Sequence, residues 1–208
     1  MEEYNKILTI YERDTKTKKL IEGNFINPSV EYLKDNIWNF TEKIDGTNIR
    51  ILWDGHKVTF GGRTDNAQIP ASLISKLNDL FGGEKNAQLF EQKFGDMEVM
   101  LCGEGYGKGI QNGGLYKESQ DFILFDVKIS ENWQSRENVL DIANYFNIQT
   151  VPTVFNGTIQ QAVNWVKTKP KSLIGDAPAE GLVGRPMLEL QDRTGKRLII
   201  KIKVQDFE

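Results

Sequence analysis

The stretch WNFTEKIDGTNIRILWDGHKVTFGGR, residues 38–63, decides the fold class of this chain. Its β-rich runs lie on either side of Asp54-Gly55, a dipeptide that favours a tight hairpin turn. Lys43 ends an earlier run just before a glycine, and Asp45 follows two residues later. Residues two apart on an extended chain point the same way, so Lys43 and Asp45 could share one face. Taken alone, residues 43–48 are more typical of a solvated turn.

The rest of the chain mixes short strands with a few helices. Apolar residues recur at helical spacing in residues 71–81 and 87–94, and Ser135 could cap a helix over 137–146. Further β-like runs cover residues 98–107, 120–130, 181–186 and 197–204. Because strands outnumber helices and many are joined by turns, we expect an α+β fold with a largely antiparallel sheet and flanking helices.

The composition excludes several classes of protein. The chain has 208 residues, which predicts one domain over 1–208, and a net charge of −3, which excludes a basic protein that coats nucleic acid. A single cysteine excludes an internal disulfide framework and a cysteine-based zinc site, and a single histidine excludes a site of two or more histidines. The sequence shows no apolar run of about 20 residues and no signal peptide, so we expect a cytoplasmic protein without a membrane association.

Four further segments carry residues that could do chemistry, although each is weak alone. Gly103-Glu104-Gly105-Tyr106-Gly107 follows an apolar strand, and its glycines permit either a flexible loop or a close approach to a ligand. Phe125, in FILFDV, could belong to the core or stack on a base. Glu180 precedes the strand GLVGRP and could simply mark the strand boundary.

The last of these segments, LIIKIKV (198–204), alternates apolar residues with Lys201 and Lys203 on the opposite face. One interpretation is an edge strand that lysines protect from pairing with other chains. The other interpretation is a pair of ammonium groups that bind one polyphosphate.

In this order the segments resemble the motifs of the covalent nucleotidyltransferase superfamily of ATP-dependent ligases and capping enzymes. The sequence is most similar to RNA ligases of the RNA ligase 2 type. KIDGTN resembles motif I (KxDG), GEGYG motif III, FDV motif IIIa, EGLV motif IV and KIK motif V, and together they span residues 43–203. The resemblance implies the adenylation-domain fold of that superfamily, which is similar to ATP-grasp, and an enzyme that joins RNA ends in the cytoplasm, for example in RNA repair.

The resemblance also implies catalytic roles. By similarity, Lys43 attacks the α-phosphorus of ATP, pyrophosphate leaves, and a lysyl–AMP adduct forms. Lys201 and Lys203 would neutralise the phosphate, since phosphoryl transfer depends mostly on positioning and charge neutralisation. Asp45 and Glu180 would hold Mg²⁺ or Mn²⁺, partly through water, because those ions prefer oxygen ligands.

Nucleotide and RNA contacts follow from the same resemblance. Glu104 would hold the ribose, Phe125 would stack on adenine, Glu42 would read the adenine edge, and Arg63 would contact phosphate or ribose. Two more residues match family positions that act on the nucleic acid: Asn48, near the 3′-hydroxyl end, and Asp126, in motif IIIa. AMP would then pass to a 5′-phosphate, and a 3′-hydroxyl would displace it to seal the strand.

One departure from the family pattern concerns accessory domains. Only residues 205–208 follow motif V, so we expect a single monomeric nucleotidyltransferase domain without an OB or C-terminal accessory domain. End joining would then be weak, would need a protein partner, or would use pre-adenylylated ends. The alternatives are a minimal ATP-dependent DNA ligase, a GTP-using capping enzyme, and, from another class, a non-catalytic nucleotide- or RNA-end-binding protein.

Overall fold

The computed structural model describes residues 3–208 and shows an α+β fold built mainly from antiparallel strands. Its helices are α1 (Pro28–Tyr32), α2 (Ala71–Phe81), α3 (Gly83–Phe94), α4 (Arg136–Phe146) and α5 (Ile159–Lys167). Its strands are β1 (Leu8–Thr9), β2 (Tyr11–Arg13), β3 (Leu20–Phe25), β4 (Trp38–Lys43), β5 (Thr47–Trp53), β6 (Val58–Gly61), β7 (Val99–Tyr106), β8 (Asp121–Ile129), β9 (Asn132–Trp133), β10 (Thr153–Gly157), β11 (Gly181–Pro186) and β12 (Ile200–Lys203).

Contacts divide the chain into two compact units. The first unit contains residues 3–5 and 45–151 of the described chain, and the second contains residues 6–44 and 152–208. Within residues 3–208, no helix is both long enough and apolar enough to cross a membrane.

The first unit is built on a five-stranded sheet in the order β6-β5-β7-β8-β9, in which every pairing is antiparallel. The expected hairpin at Asp54-Gly55 is confirmed: β5 pairs with β6, and the Asp54 carboxylate accepts hydrogen bonds from the backbone of His56 and Lys57. The apolar residues of α2, α3 and α4 pack with those of β5, β7 and β8 into one core. Burial of this apolar surface is the main stabilising contribution to the unit.

The helices of this unit begin and end largely where the sequence predicts. The helix expected over 71–81 is α2, and that expected over 87–94 is the C-terminal part of α3, which begins earlier at Gly83. Ser135 caps α4 through a hydrogen bond from the Asn138 backbone to its Oγ, 3.3 Å long.

The second unit contains a five-stranded sheet in the order β1-β12-β11-β4-β10 and the separate pair β2-β3. Only the β1–β12 pairing is parallel. The interpretation of residues 198–204 as an edge strand is wrong, because β12 lies between β1 and β11. Its lysines therefore do not serve to keep an exposed edge from pairing.

Candidate active site

The structure of the second unit brings three of the expected catalytic residues into contact. Lys43 ends β4, and its register partner on β11 is Gly181, which is in turn opposite Lys203 on β12. Glu180 directly precedes Gly181, and its two carboxylate oxygens each receive one ammonium group. Lys43 Nζ lies 2.6 Å from Oε2, and Lys203 Nζ lies 2.6 Å from Oε1.

Gly181 is required by the close approach of β12. A Cβ atom at this position would collide with the carbonyl oxygen of Ile202. The absence of a side chain lets β11 and β12 approach at the point where Glu180 turns toward both lysines. The motif EGLV thus has a physical reason in the fold as well as a chemical one.

Lys201 adds a third cationic group to this cluster. The pKa of Lys201 lies below its usual value because of burial first, and then because of the positive charges of Lys203, Lys43 and Lys6. Within residues 3–208, no carboxylate lies at ion-pair distance from Lys201. Lys43 and Lys203 therefore share one acidic partner, Glu180, while Lys201 adds a positive charge without an ion pair in the described chain, and the cluster is electrostatically suited to bind an anion.

Glu42 is almost completely buried next to Lys43, with 1% of its surface exposed. Burial raises the pKa of Glu42, while hydrogen bonds from the Ser172 side chain and the Leu173 backbone oppose that rise. The Leu173 N–H donates to Oε2 over 2.8 Å, but Oε1 is buried and accepts no hydrogen bond in the described chain. A buried carboxylate oxygen without a donor is costly, so it is a candidate contact for a ligand.

In the first unit, the loop that follows Lys43 is anchored to β7. Asp45 accepts a 2.8 Å hydrogen bond from the side chain of Asn112. A Cβ atom on Gly46 would collide with the carbonyl oxygen of Gly105 and lie 2.9 Å from Glu104 Cγ. Because only glycine fits there, the KxDG loop can run directly against the strand that carries Glu104.

Asn48 and Glu104 are direct partners in the pairing of β5 with β7. The Oδ1 atom of Asn48 is buried and accepts no hydrogen bond from residues 3–208. In the described part of the chain, it is one of a small number of buried side-chain oxygens that lack a donor, as is Glu42 Oε1 in the second unit.

A β-bulge sets the position of Phe125. Cys102 pairs with Asp126 but Gly103 pairs with Leu124, so Phe125 is the extra residue on β8. Such bulges re-aim a side chain and are common next to active sites. Phe125 is half-buried and contacts the edge of the Tyr4 ring, with 5.2 Å between the ring centroids.

Asp126 lies in the interior of the first unit, with 2% of its surface exposed. Its carboxylate accepts a 2.9 Å hydrogen bond from the Tyr4 hydroxyl and another from the Val127 backbone. A contact of Asp126 with nucleic acid stays a prediction. The contact of Tyr4 with Asp126 could not be predicted from the sequence, because no local pattern links residues 122 positions apart.

Arg63 is exposed on the loop after β6, and the residue that fixes this loop is Arg50. Arg50 is completely buried, and its guanidinium donates to the carbonyl of Gly62 over 2.6 Å and to Asp65 over 2.9 Å. This role of Arg50 was not predicted. The feature that could have indicated it is the arginine between two isoleucines in NIRIL, a cation within an apolar run.

The described residues offer a metal ion separate carboxylates and not a ready cluster of ligands. Among residues 3–208, no three histidine, cysteine, aspartate or glutamate residues are grouped so that they could hold a metal. Mg²⁺ is commonly bound by one or two carboxylates together with phosphate oxygens and water. The Glu180 carboxylate of the second unit and the Asp45 carboxylate of the first each offer oxygens of that kind. Metal binding by either residue stays a prediction.

Comparison with solved structures shows the fold. A variant of Naegleria gruberi RNA ligase with ATP and Mn matches with a TM-score of 0.66 at 19% identity, over 86% of this chain and 52% of that one. A second variant with AMP and Mn matches with the same TM-score and identity, over 86% and 53%. The ligase with PPi matches with a TM-score of 0.64 at 22% identity, over 86% and 53%.

This chain thus spans about half the length of those solved proteins. A search of curated protein sequences finds no match. The family model described as RNA ligase matches residues 36–203, a range that contains β4 with Lys43, β11 with the preceding Glu180, and β12 with Lys201 and Lys203. On this match, the chain belongs to the RNA ligase family.

Proposed function

We propose that this protein is an ATP-dependent RNA ligase that acts through a lysyl–AMP intermediate. The observation that carries the proposal is the contact of Lys43 with Glu180, which also binds Lys203, inside the segment that matches the RNA ligase family. The similar Naegleria gruberi structures contain ATP, AMP with Mn, or PPi. ATP is the substrate and PPi the leaving group expected for adenylyl transfer to lysine, and AMP is the group released when the ends are joined.

In the first step, the neutral amine of Lys43 forms a bond to the α-phosphorus of ATP, and the bond to the pyrophosphate oxygen breaks. The proton lost from Nζ needs an acceptor, and Glu180 Oε2 lies 2.6 Å away. Lys201 and Lys203 neutralise the charge on the phosphates, which is the main contribution a protein makes to phosphoryl transfer.

The proposal also assigns a nucleotide contact to each of four further residues. Glu42 Oε1 accepts from the adenine amino group, an assignment that its lack of a donor supports. Phe125 stacks on the base, Glu104 binds the ribose, and Arg63 binds phosphate or ribose. The bulge at Phe125 supports the first of these assignments, and the buried Arg50 that anchors the Arg63 loop supports the last.

In this proposal Asp45 would offer its carboxylate to Mg²⁺ or Mn²⁺, and so would Glu180. A bound metal would supply positive charge against the phosphate oxygens. Asn112, which donates to the Asp45 carboxylate, orients that side chain in the described structure.

The adenylyl group next passes to a 5′-phosphate end, and a 3′-hydroxyl displaces AMP to seal the RNA. Asn48 acts near the 3′-hydroxyl end, which the unpaired acceptor Oδ1 supports, and Asp126 is retained as a residue of this step. Membership of the RNA ligase 2 type, a protein partner for efficient sealing, and a monomeric state remain parts of the proposal.

Sealing of matched substrates tests this function. Nicked duplexes with an RNA or a DNA nick of the same sequence are incubated with ATP and Mg²⁺, and products are compared for the wild type and for Lys43→Arg. We expect sealing of the RNA nick, with pre-adenylylated ends joined more efficiently than 5′-phosphate ends, and no ATP-dependent sealing by the variant. Preference for the DNA nick would favour a minimal DNA ligase. ATP binding without an adduct or a joined product would favour a non-catalytic binding protein.

A further inference from the structure

We propose that the basic turn, residues 14–19 between β2 and β3, binds the phosphodiester backbone of the RNA substrate. This inference rests on the proposed function and adds a substrate-binding element to it. The hairpin lies outside residues 36–203, the range that matches the RNA ligase family.

The charge of the basic turn is not balanced by its surroundings. Lys16, Lys18 and Lys19 are all exposed, and no carboxylate of residues 3–208 lies within ion-pair distance of them. Two other exposed lysines are paired, Lys108 with Glu118 and Lys167 with Glu22, whereas the exposed Lys57, Lys85 and Lys196 have no lysine next to them in the sequence. In a chain with a net charge of −3, three adjacent unpaired cations form a local positive site.

The single acidic residue of the basic turn is engaged within the turn. Asp14 Oδ1 accepts hydrogen bonds from the backbone of Lys16 (3.0 Å) and Thr17 (2.7 Å) and from the Thr17 hydroxyl (3.0 Å). These hydrogen bonds lower the pKa of Asp14. The carboxylate thus holds the shape of the turn and does not pair with the lysines.

Arg13 holds the basic turn from its base. Its guanidinium donates to the Lys18 carbonyl over 3.0 Å and to Asp206 over 2.7 Å. The backbone is further closed by hydrogen bonds between Asp14 and Lys19 and between Lys18 and Asp14. An ordered loop loses less conformational entropy when a ligand binds, which favours affinity.

The chemistry of the basic turn selects a polyanion as the ligand. Residues 14–19 are Asp, Thr, Lys, Thr, Lys and Lys, so they offer no apolar or aromatic side chain of the kind that anchors a protein interface. Phosphodiester groups are bound through lysine and arginine with release of counterions. For a member of the RNA ligase family, the polyanion that fits is the RNA whose ends are joined.

Salt-dependent binding of RNA tests this inference. Affinity for a fluorescent nicked RNA duplex is measured by anisotropy over a series of KCl concentrations. The test variant is Lys16→Gln/Lys18→Gln/Lys19→Gln. The control is Lys57→Gln/Lys85→Gln/Lys196→Gln, which makes the same change of net charge at exposed lysines elsewhere.

We expect the test variant to bind about tenfold or more weakly at 0.1 M KCl. We expect its plot of log affinity against log salt to be shallower by about 2 to 3, since each phosphate contact contributes about 0.9. The control variant should keep the wild-type slope. Asp14→Asn, which keeps an acceptor for the turn and removes a negative charge, should bind more tightly than the wild type.

Equal slopes for the test variant and the wild type would overturn the inference, and so would an equal loss in both triple variants. Formation of the AMP adduct, measured in the same preparations, separates the two proposals. We expect all variants to form it at the wild-type rate. A wild type that binds RNA through the basic turn but forms no adduct would contradict the proposed function alone.

Discussion

Arg50 in the first unit and Glu42 in the second are both charged and buried, but they differ in how well their polar atoms are hydrogen-bonded. Both are at most 1% exposed. The Arg50 guanidinium is matched by the Gly62 carbonyl and the Asp65 carboxylate, whereas Glu42 Oε1 has no donor among residues 3–208. A buried charge is expensive unless it is paired and hydrogen-bonded. Arg50 therefore stabilises a loop, and Glu42 carries a cost that a bound ligand would offset.

The lysine cluster of the second unit resembles Glu42, because it too holds a charge in an unfavourable environment. Lys201 is partly buried beside Lys203 and Lys43, and its pKa is lowered by burial and by those charges. Groups that destabilise the ligand-free protein in this way are concentrated at functional sites. The comparison thus predicts that substitutions at Arg50 and at Lys201 change stability in opposite directions.

Arg50→Ala should have the largest effect on stability. The change leaves a cavity beside the core and an unpaired carbonyl at Gly62, so we expect the free energy of unfolding to fall by about 3 kcal/mol or more. Urea denaturation measures this value. Asp65→Asn is the matched control, because the Asp65 side chain is 64% exposed and should contribute less than about 1 kcal/mol. Similar values for both variants would mean that Arg50 is not a structural anchor.

Lys201→Met should stabilise the protein while it abolishes function. An apolar side chain removes the partly buried charge, and we expect the free energy of unfolding to rise by about 0.5 to 2 kcal/mol, with adenylyl transfer at least about 100-fold slower. Lys203→Met is the control, since Lys203 loses its 2.6 Å ion pair with Glu180 and should not gain stability. A loss of stability in Lys201→Met would contradict the comparison.

Glu42→Gln should have the smallest effect, visible as a change in pH dependence. The folded-state pKa of Glu42 is raised above its usual value of 4.5, so the wild type loses stability as pH rises from 4.5 through that raised pKa. The variant lacks this titration. Its melting temperature relative to the wild type should therefore increase between pH 4 and pH 7, and a constant difference across that range would show that burial of the charge carries no cost.

Much of the fold could be predicted from local patterns. The bounds of α2, the cap at Ser135 and the hairpin at Asp54-Gly55 all depend on periodicity or on turn chemistry within a few residues. The order of strands could not be predicted in this way. Whether β12 lies at an edge depends on its pairing with β1, which is far away in sequence, so the edge-strand interpretation of Lys201 and Lys203 failed.

The candidate site shows the same limit. Contact of Lys43, Glu180 and Lys203 agrees with the motifs that the sequence displays in order. The bulge at Phe125, the contact of Tyr4 with Phe125 and the hydrogen bond from Asn112 to Asp45 arise from tertiary packing. Residue spacing in the sequence does not predict them. The roles of all the site residues, including Lys43, Glu180 and Lys203, remain predictions.

The most direct test of covalent catalysis at Lys43 is the intact mass of the protein after incubation with ATP and Mg²⁺. The wild type should gain the mass of AMP less one water, and Lys43→Ala should gain nothing while keeping the wild-type melting temperature. An unchanged mass in the wild type, or an adduct that persists in Lys43→Ala, would contradict the assignment of Lys43 as the nucleophile.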